Sequence, residues 1–389
     1  MPSRTDIARA ASDALRAAGQ VPPALVGFDG FIDSIVHMVD RRTDMSPKGY
    51  VRLRTITDFA ARCASAAGKS TNIERFLIED RFGGNGPLMA SAVAGLGMPT
   101  TYIGAVGEEA PANGGAARVH RVFAPFAARC RRVIPTGTPS ATLCLEFDDG
   151  KLMFNDTAGQ QVVTWERIVA AAGLDEVVRT VDAARLIGIV NWSLLGGVPG
   201  IWEGLARDVL PKCAKVRRVL FIDLSDPAKR SDEDIRAALA QLRTLDRSIS
   251  VALGLNLSEA ERIARVLGLG VLEAGTGAPS GRMVLEACRV IREAADLSCV
   301  TVHPREGAAG ADRDGAAAWF DGPFTASPRL STGAGDHYNG GFAFARTLGL
   351  PMEQCLAVGC AVSGAYVRDA ASPSRERVVE FLRELPEPE

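Results

Sequence analysis

STGAGDHYNGGFAFA, residues 331–345, sets two glycines and an alanine directly before an aspartate and then runs into a helical pattern. Ser331, Thr332 and Asp336 are ordinary residues for a helix start, because their side-chain oxygens cap free first-turn amides. Capping does not require Gly333-Ala334-Gly335. Glycine loses more backbone entropy on folding than any other residue, so this pair points to positive φ angles or to something approaching the backbone closely. An anion suits the place, since first-turn amides and the positive end of the helix dipole both favour negative charge. Asp336 then stands one residue beyond the cradle, where a carboxylate can take the proton of a hydroxyl attacking a γ-phosphate. A plain helix cap after a flexible loop explains the same residues, and the stretch alone leaves both readings open.

Outward from it, the chain alternates short apolar runs with helical patterns. ALVGF near 24–28, RLIGIVN at 185–191, RRVLFIDL at 217–224, ISVALGLN at 249–256 and LSCVTVH at 297–303 read as buried parallel strands. PGIWEGLARDVLPKCA, SDEDIRAALAQLRTLD, LSEAERIARVLG and SGRMVLEACRVIREAAD read as the helices between them. This βαβ order predicts a mostly parallel sheet with ligands at the carboxyl ends of its strands. SATLCLEFDDGKLMFND, residues 140–156, alternates apolar and polar residues on both sides of Asp149-Gly150 and predicts an antiparallel hairpin. The mixed stretch from Asp33 to Arg81, with a helical piece at ITDFAARCASAAG, reads as an inserted lid.

Composition removes several function classes. With 389 residues, 47% apolar residues and a net charge of −2, the chain can bury a large core and offers no basic stripe for nucleic acid and no polybasic membrane patch. No apolar run approaches the length that spans a bilayer. Eight scattered cysteines show no metal-ligand spacing, so they read as reduced thiols in the cytoplasm. The four histidines form no HExxH pattern, and neither a GxSxG elbow nor a GxGxxG strand-to-helix turn is present. AAGKST, residues 66–71, lacks the first glycine of a P-loop and follows a helix-like stretch. Phosphate chemistry at the glycine-rich helix start remains.

Three stretches in order carry a resemblance. STGAGDHYNGGFAFA resembles the C-terminal signature of the ribokinase-like, or PfkB, family of sugar and nucleoside kinases. GGNGPLMASAVAGLGMPTTYIGAVGEE, residues 83–109, is similar to its N-terminal signature, and Asn256-Leu-Ser-Glu259 to its NxxE motif. The likeness implies a three-layer α/β/α fold with a mostly parallel central sheet and a small β-lid. It implies a kinase domain over 24–382, a helical extension at 1–23, lid elements at about 34–82 and 138–157, and a tail at 383–389. The implied reaction is ATP-dependent phosphoryl transfer to a hydroxyl of a sugar, polyol or nucleoside, with Asp336 as general base and Gly333, Ala334 and Gly335 as the anion hole. Asp33 or Asp29, with Gly83, Gly84 and Asn85, would contact the acceptor; Asn256, Thr332, Gly333, Gly335 and Gly307 would contact the nucleotide. Asn256 and Glu259 would organise Mg²⁺ through water.

The residues themselves leave alternatives beside these roles. Gly83 and Gly84 also suit the end of an extended segment, Asn256 and Glu259 a helix start, and either acid a turn cap. Three positions depart from the family pattern. Leu88 stands where many sugar kinases have asparagine, Leu330 replaces an aspartate that helps hold a monovalent cation, and Pro304 removes an amide from a nucleotide-contacting turn. No potassium site is therefore expected. The family often dimerises through lid strands, so the resemblance admits a homodimer. The rival expectation is a non-catalytic sugar or nucleotide sensor on the same scaffold.

Overall fold

The computed structural model describes residues 2–109, 117–272 and 279–389. Its strands are β1 (Ala24–Phe28), β2 (Phe31–Arg42), β3 (Tyr50–Arg52), β4 (Arg75–Gly83), β5 (Thr100–Gly104), β6 (Arg132–Pro135) and β7 (Ser140–Phe147). They continue with β8 (Gly150–Asp156), β9 (Leu186–Val190), β10 (Val219–Asp223), β11 (Ser250–Leu255), β12 (Cys299–Val302), β13 (Gly307–Asp312) and β14 (Ala317–Asp321).

The large sheet has nine strands in the order β14-β13-β12-β11-β10-β9-β1-β5-β6. Pairing is parallel from β6 through β12, and β12, β13 and β14 are antiparallel to one another. Successive residues of a strand feed opposite faces, as the period of two requires. Leu25 and Leu220 join the core against the helices Asp232–Asp246, Leu257–Val266 and Gly281–Ala295, while Val26 and Phe221 join the core against Asn85–Gly95, Ala334–Thr347 and Met352–Asp369. The result is the expected α/β/α sandwich. The helix Arg4–Ala17 contributes Ala8, Ala11 and Leu15 to that second core, beside the helix Arg375–Arg383.

The apolar runs read as parallel strands appear as β1, β9, β10, β11 and β12. The edge pair β13–β14 gave no such signal, since GAAGAD and AAWFD are dominated by small residues of low strand preference. No helix among the described residues is long and apolar enough to cross a membrane.

The lid is a second sheet, ordered β3-β2-β7-β8 with β4 also paired to β2. One face buries Val36, Met38, Leu53, Leu145 and Phe147 against Ile56 and Phe59 of the helix Ile56–Ala64. The hairpin β7–β8 forms as read, but Phe147 pairs with Gly150, so its tip is Asp148-Asp149 instead of Asp149-Gly150. Those acids are occupied: Asp148 pairs with Arg52 and Arg54, and Asp149 accepts the Ile56 amide at 2.9 Å. Lid and large sheet are continuous, because only Asp29-Gly30 separates β1 from β2 and only Gly84 separates β4 from the helix Asn85–Gly95. Residues 66–71 form a turn and coil, not a strand-to-helix phosphate loop.

Candidate active site

The glycine-rich turn lies at the carboxyl end of the sheet, as the βαβ order requires. Gly333 is the N-cap of the helix Ala334–Thr347, with φ 89°, and no side chain caps it. The capping expected of Ser331, Thr332 and Asp336 is absent, and the glycine is needed for two reasons. Its φ is left-handed, and a Cβ there would stand 2.9 Å from Leu88 Cδ1 and 3.0 Å from Tyr366 Oη. Leu88, a departure at the level of sequence, is thus the apolar lid on the turn. The Ala334 amide donates to Ser331 O at 3.2 Å and closes the turn, so it is not a free donor. Among the described residues no hydrogen bond engages the amides of Gly333, Gly335 or Asp336. The unbonded amides of the turn are therefore those of Gly333, Gly335 and Asp336, and Ala334, expected among them, is not one.

Two cavities flank this turn. One, of about 370 Å³, is lined by Asn256, His303, Arg305, Gly307, Ala334 and Gly335. The other, of about 60 Å³, lies under the lid and is lined by Asp33, Arg81, Leu88, Lys151, Thr332 and Tyr366. Of the residues expected to contact the nucleotide, Gly307 and Asn256 line the large cavity. Thr332 does not; it faces the small one, and its carbonyl accepts the Tyr366 hydroxyl at 2.8 Å. Pro304 lines the large cavity and Leu330 the small one.

Asp336 is 8% exposed, and its Oδ1 accepts from Asn85 Nδ2 at 2.9 Å. Burial, reinforced by the charge of Asp223, holds its carboxyl well above the usual carboxylate range, and the Asn85 bond only partly offsets this. Asn85 is placed by Asp29. The fully buried Asp29 accepts the amides of Asn85 at 2.9 Å and Gly86 at 2.8 Å, and Asn191 Nδ2 at 2.7 Å. Burial lifts its pKa to about 6 against the pull of those bonds.

Asp29, read as a candidate acceptor contact, is therefore enclosed and holds the loop instead. The acid that faces the small cavity is Asp33, raised by burial against a hydrogen bond from Thr142 and the nearby Arg81 and Lys151 charges. The glycines follow from the same packing. A side chain at Gly83 would run into the Asp33 carboxylate, and one at Gly84 would come within 3.0 Å of Asp29 Oδ2. What approaches this backbone so closely is the chain's own pair of acids.

On the side of the large cavity, Asn256 caps the helix Leu257–Val266. Its Oδ1 accepts the Glu259 amide at 3.0 Å, and Glu259 Oε2 accepts the Asn256 amide at 2.8 Å, a complete capping box. The other Glu259 oxygen accepts the Asp226 amide at 2.9 Å. Burial and the charge of Asp223 push Glu259 up to about 8.

Asp223 is the acid that sequence reasoning missed. It ends β10, where its Oδ1 accepts the Ser225 amide at 2.7 Å and its Oδ2 accepts from Asn339 Nδ2 at 2.6 Å. Its only signal was a polar residue closing the apolar run RRVLFID. Ser225 and Asp226 both have left-handed φ, 53° and 59°, which is costly for non-glycine residues. The bonds from Asp223 and Glu259 hold that strained turn in place.

The charge of Asp223 raises the proton affinity of both Glu259 and Asp336, and Glu259 adds to the effect on Asp336. Oxygen donors with uncompensated negative charge fit a hard divalent ion. Among the described residues no group of three or more His, Cys, Asp or Glu is set to hold a metal ion.

Residues 4–385 match a family described as prokaryotic ketohexokinase. A ketohexokinase of Haloferax volcanii is 29% identical over 361 residues, covering 92% of this chain and 90% of that protein. Among solved structures, Arabidopsis thaliana ribokinase complexed with ribose and ATP superposes with a TM-score of 0.62 at 17% identity, covering 93% of this chain and 99% of the other. Cryptococcus neoformans ribokinase in complex with ADP gives 0.61 at 15% identity, covering 92% and 99%. At such identities these two structures establish the fold alone.

Proposed function

The chain belongs to the prokaryotic ketohexokinase family and is a sugar kinase of the ribokinase-like fold, and from that premise we propose that it transfers the γ-phosphoryl group of ATP to a primary hydroxyl of a ketohexose. The observation that carries this reading is the position of the turn, with a nucleotide-sized cavity on one side, a small polar cavity under the lid on the other, and Asp336 buried beside it.

In the proposed reaction, ATP fills the large cavity with its γ-phosphate against the free amides of Gly333, Gly335 and Asp336. The sugar enters under the lid, where Asp33 accepts hydrogen bonds from its hydroxyls and Leu88 covers its apolar face. Asp336 takes the proton of the attacking hydroxyl as its oxygen bonds to the γ-phosphorus and the bond to the ADP oxygen breaks. Asn85 holds Asp336 in line, and Asp29 holds Asn85. Magnesium, held through water beside Asn256, Glu259 and Asp223, would neutralise the nucleotide phosphates. Lid closure excludes water, so that ATP is not simply hydrolysed. The eight free thiols support a reducing, cytoplasmic setting. The sensor alternative is not favoured, because it gives no reason for a buried acid beside free amides.

The test is ADP release from Mg-ATP across ketohexoses, aldoses, polyols and nucleosides, with the position of the new phosphate read by ³¹P NMR. Turnover confined to ketohexoses supports the assignment. Turnover with aldoses or nucleosides alone would move the acceptor class.

A further inference from the structure

The residues that follow the proposed base have a geometry that the reaction above does not use. His337 is completely buried, and its Nδ1 lies 2.7 Å from Gly333 O while its Nε2 lies 2.9 Å from Ser372 Oγ. Its ring stacks on Tyr366 with centroids 3.6 Å apart and planes 14° from parallel. The Tyr366 hydroxyl donates to Thr332 O at 2.8 Å. Two successive carbonyls of the glycine-rich turn are thus held by two stacked rings from two different helices, Ala334–Thr347 and Met352–Asp369.

We propose that His337 and Tyr366, with Ser372 behind them, form a clamp that aims the amides of the anion hole. The argument rests on peptide planarity. Fixing a carbonyl fixes the N–H on the other side of the same rigid unit. Tyr366 holds Thr332 O and so sets the direction of the Gly333 N–H, one of the free donors. Gly333 O accepts both the His337 backbone amide, at 3.1 Å, and the His337 ring, which together set the Ala334 N–H; its bond to Ser331 O closes the turn, while among the described residues the amides of Gly335 and Asp336 carry no bond. Gly333 needs such support, since it is the left-handed residue on which the turn pivots.

The carbonyl can only accept, so Nδ1 carries the proton and Nε2 accepts from the Ser372 hydroxyl. Burial pulls the imidazole pKa down to about 4, and the ring is neutral, as that arrangement requires. Both residues are positioning residues, acting on the phosphoryl group only through backbone that they orient. Donors aimed at a transition state lose much of their effect when displaced by a fraction of an ångström.

The proposal rests on the reading of residues 333–336 as the catalytic turn, so Asp336→Asn, which removes the proposed base and leaves every backbone amide in place, is run in parallel to test that reading separately. Asparagine places its Nδ2 near the position of an imidazole Nδ1, whereas glutamine reaches the position of Nε2. His337→Asn should therefore retain most of kcat, while His337→Gln and His337→Leu lose about tenfold to a hundredfold. Tyr366→Phe keeps the stacked ring and loses only the hydroxyl; it should fold, melt close to the parent, and lose kcat with little change in the KM for ATP.

A folded Tyr366→Phe with parental kcat, or a rise in the sugar KM alone, would overturn the clamp and leave Tyr366 as a cavity wall. Equal kcat losses in His337→Asn and His337→Leu would overturn it for His337. If instead Asp336→Asn keeps parental turnover, Asp336 is not the base and the placing of the chemistry at this turn, on which the clamp depends, fails with it.

Discussion

At the carboxyl end of the large sheet, Asp29, Asp223, Glu259 and Asp336 are buried and bonded to backbone amides and asparagine side chains. On the lid, Asp148, Glu74 and Glu79 are exposed, and each meets an arginine: Arg52 and Arg54, Arg42, and Arg81. Exposed ion pairs contribute about 0–1 kcal/mol and weaken with salt. Burying a carboxylate without a cation costs several kcal/mol in desolvation. The sandwich tolerates four such groups in one place, the pattern that the proposed chemistry calls for. The lid follows the ordinary economics of a surface, and its acids arrange the scaffold around the small cavity.

That contrast breaks first at Asp336. Asp336→Asn should fold as the parent does and lose kcat by about 10²–10⁴, the scale of a lost general base, measured by coupled ADP release. Parental kcat would strip the buried cluster of its chemical meaning.

Asp223→Asn and Glu259→Gln come next, with the apparent affinity for Mg-nucleotide expected to fall about 10- to 100-fold while the sugar KM holds. A titration of both substrates separates the two effects.

Asp29→Asn removes one acceptor oxygen from a set of three bonds and should cost about 1–3 kcal/mol in urea unfolding, with activity falling as the Asn85 loop loosens. The group also predicts a pH slope. Its folded pKa of about 6 lies above the ordinary carboxylate value of 3.8, so its contribution to stability is full at low pH and is lost as pH rises through about 6. Melting curves across that range should decline less steeply in the variant than in the parent.

The smallest effect belongs to the lid. Arg52→Ala should change unfolding free energy by about 1 kcal/mol or less, and the difference should shrink in high salt. An effect as large as that of Asp29→Asn would erase the distinction between the two regions.

The sandwich was legible because buried parallel strands leave continuous apolar runs such as ISVALGLN, and because the helices between them carry their caps in sequence, as Ser231, Asn256 and Ser280 do. The turn at 333–336 was legible because few other demands require glycine twice before an acid. Residues whose role depends on strand order or side-chain orientation were not. Asp223 meets Asn339 and the Glu259 box only once β10 and β11 lie side by side. Asp33 and Asp29, four residues apart on one chain segment, read as first and second candidates for one role, yet Asp29 is sealed behind three amide groups while Asp33 opens on a cavity. Tyr366 sits in an unremarked helix, and its contact with Thr332 spans residues that no local pattern links.

The junction of lid and sheet reaches beyond a single turnover. The chain crosses into the lid through Asp29-Gly30 and leaves it through Gly84, and Asp29 is the anchor of the loop that aligns the proposed base. A lid exchanged for that of a relative would be cut at the residues that place Asn85 and, through it, the proposed base. On the proposed reading, acceptor choice and base alignment therefore meet at one seam, and an exchange confined to the cavity-facing lid residues would alter the first while leaving the second in place.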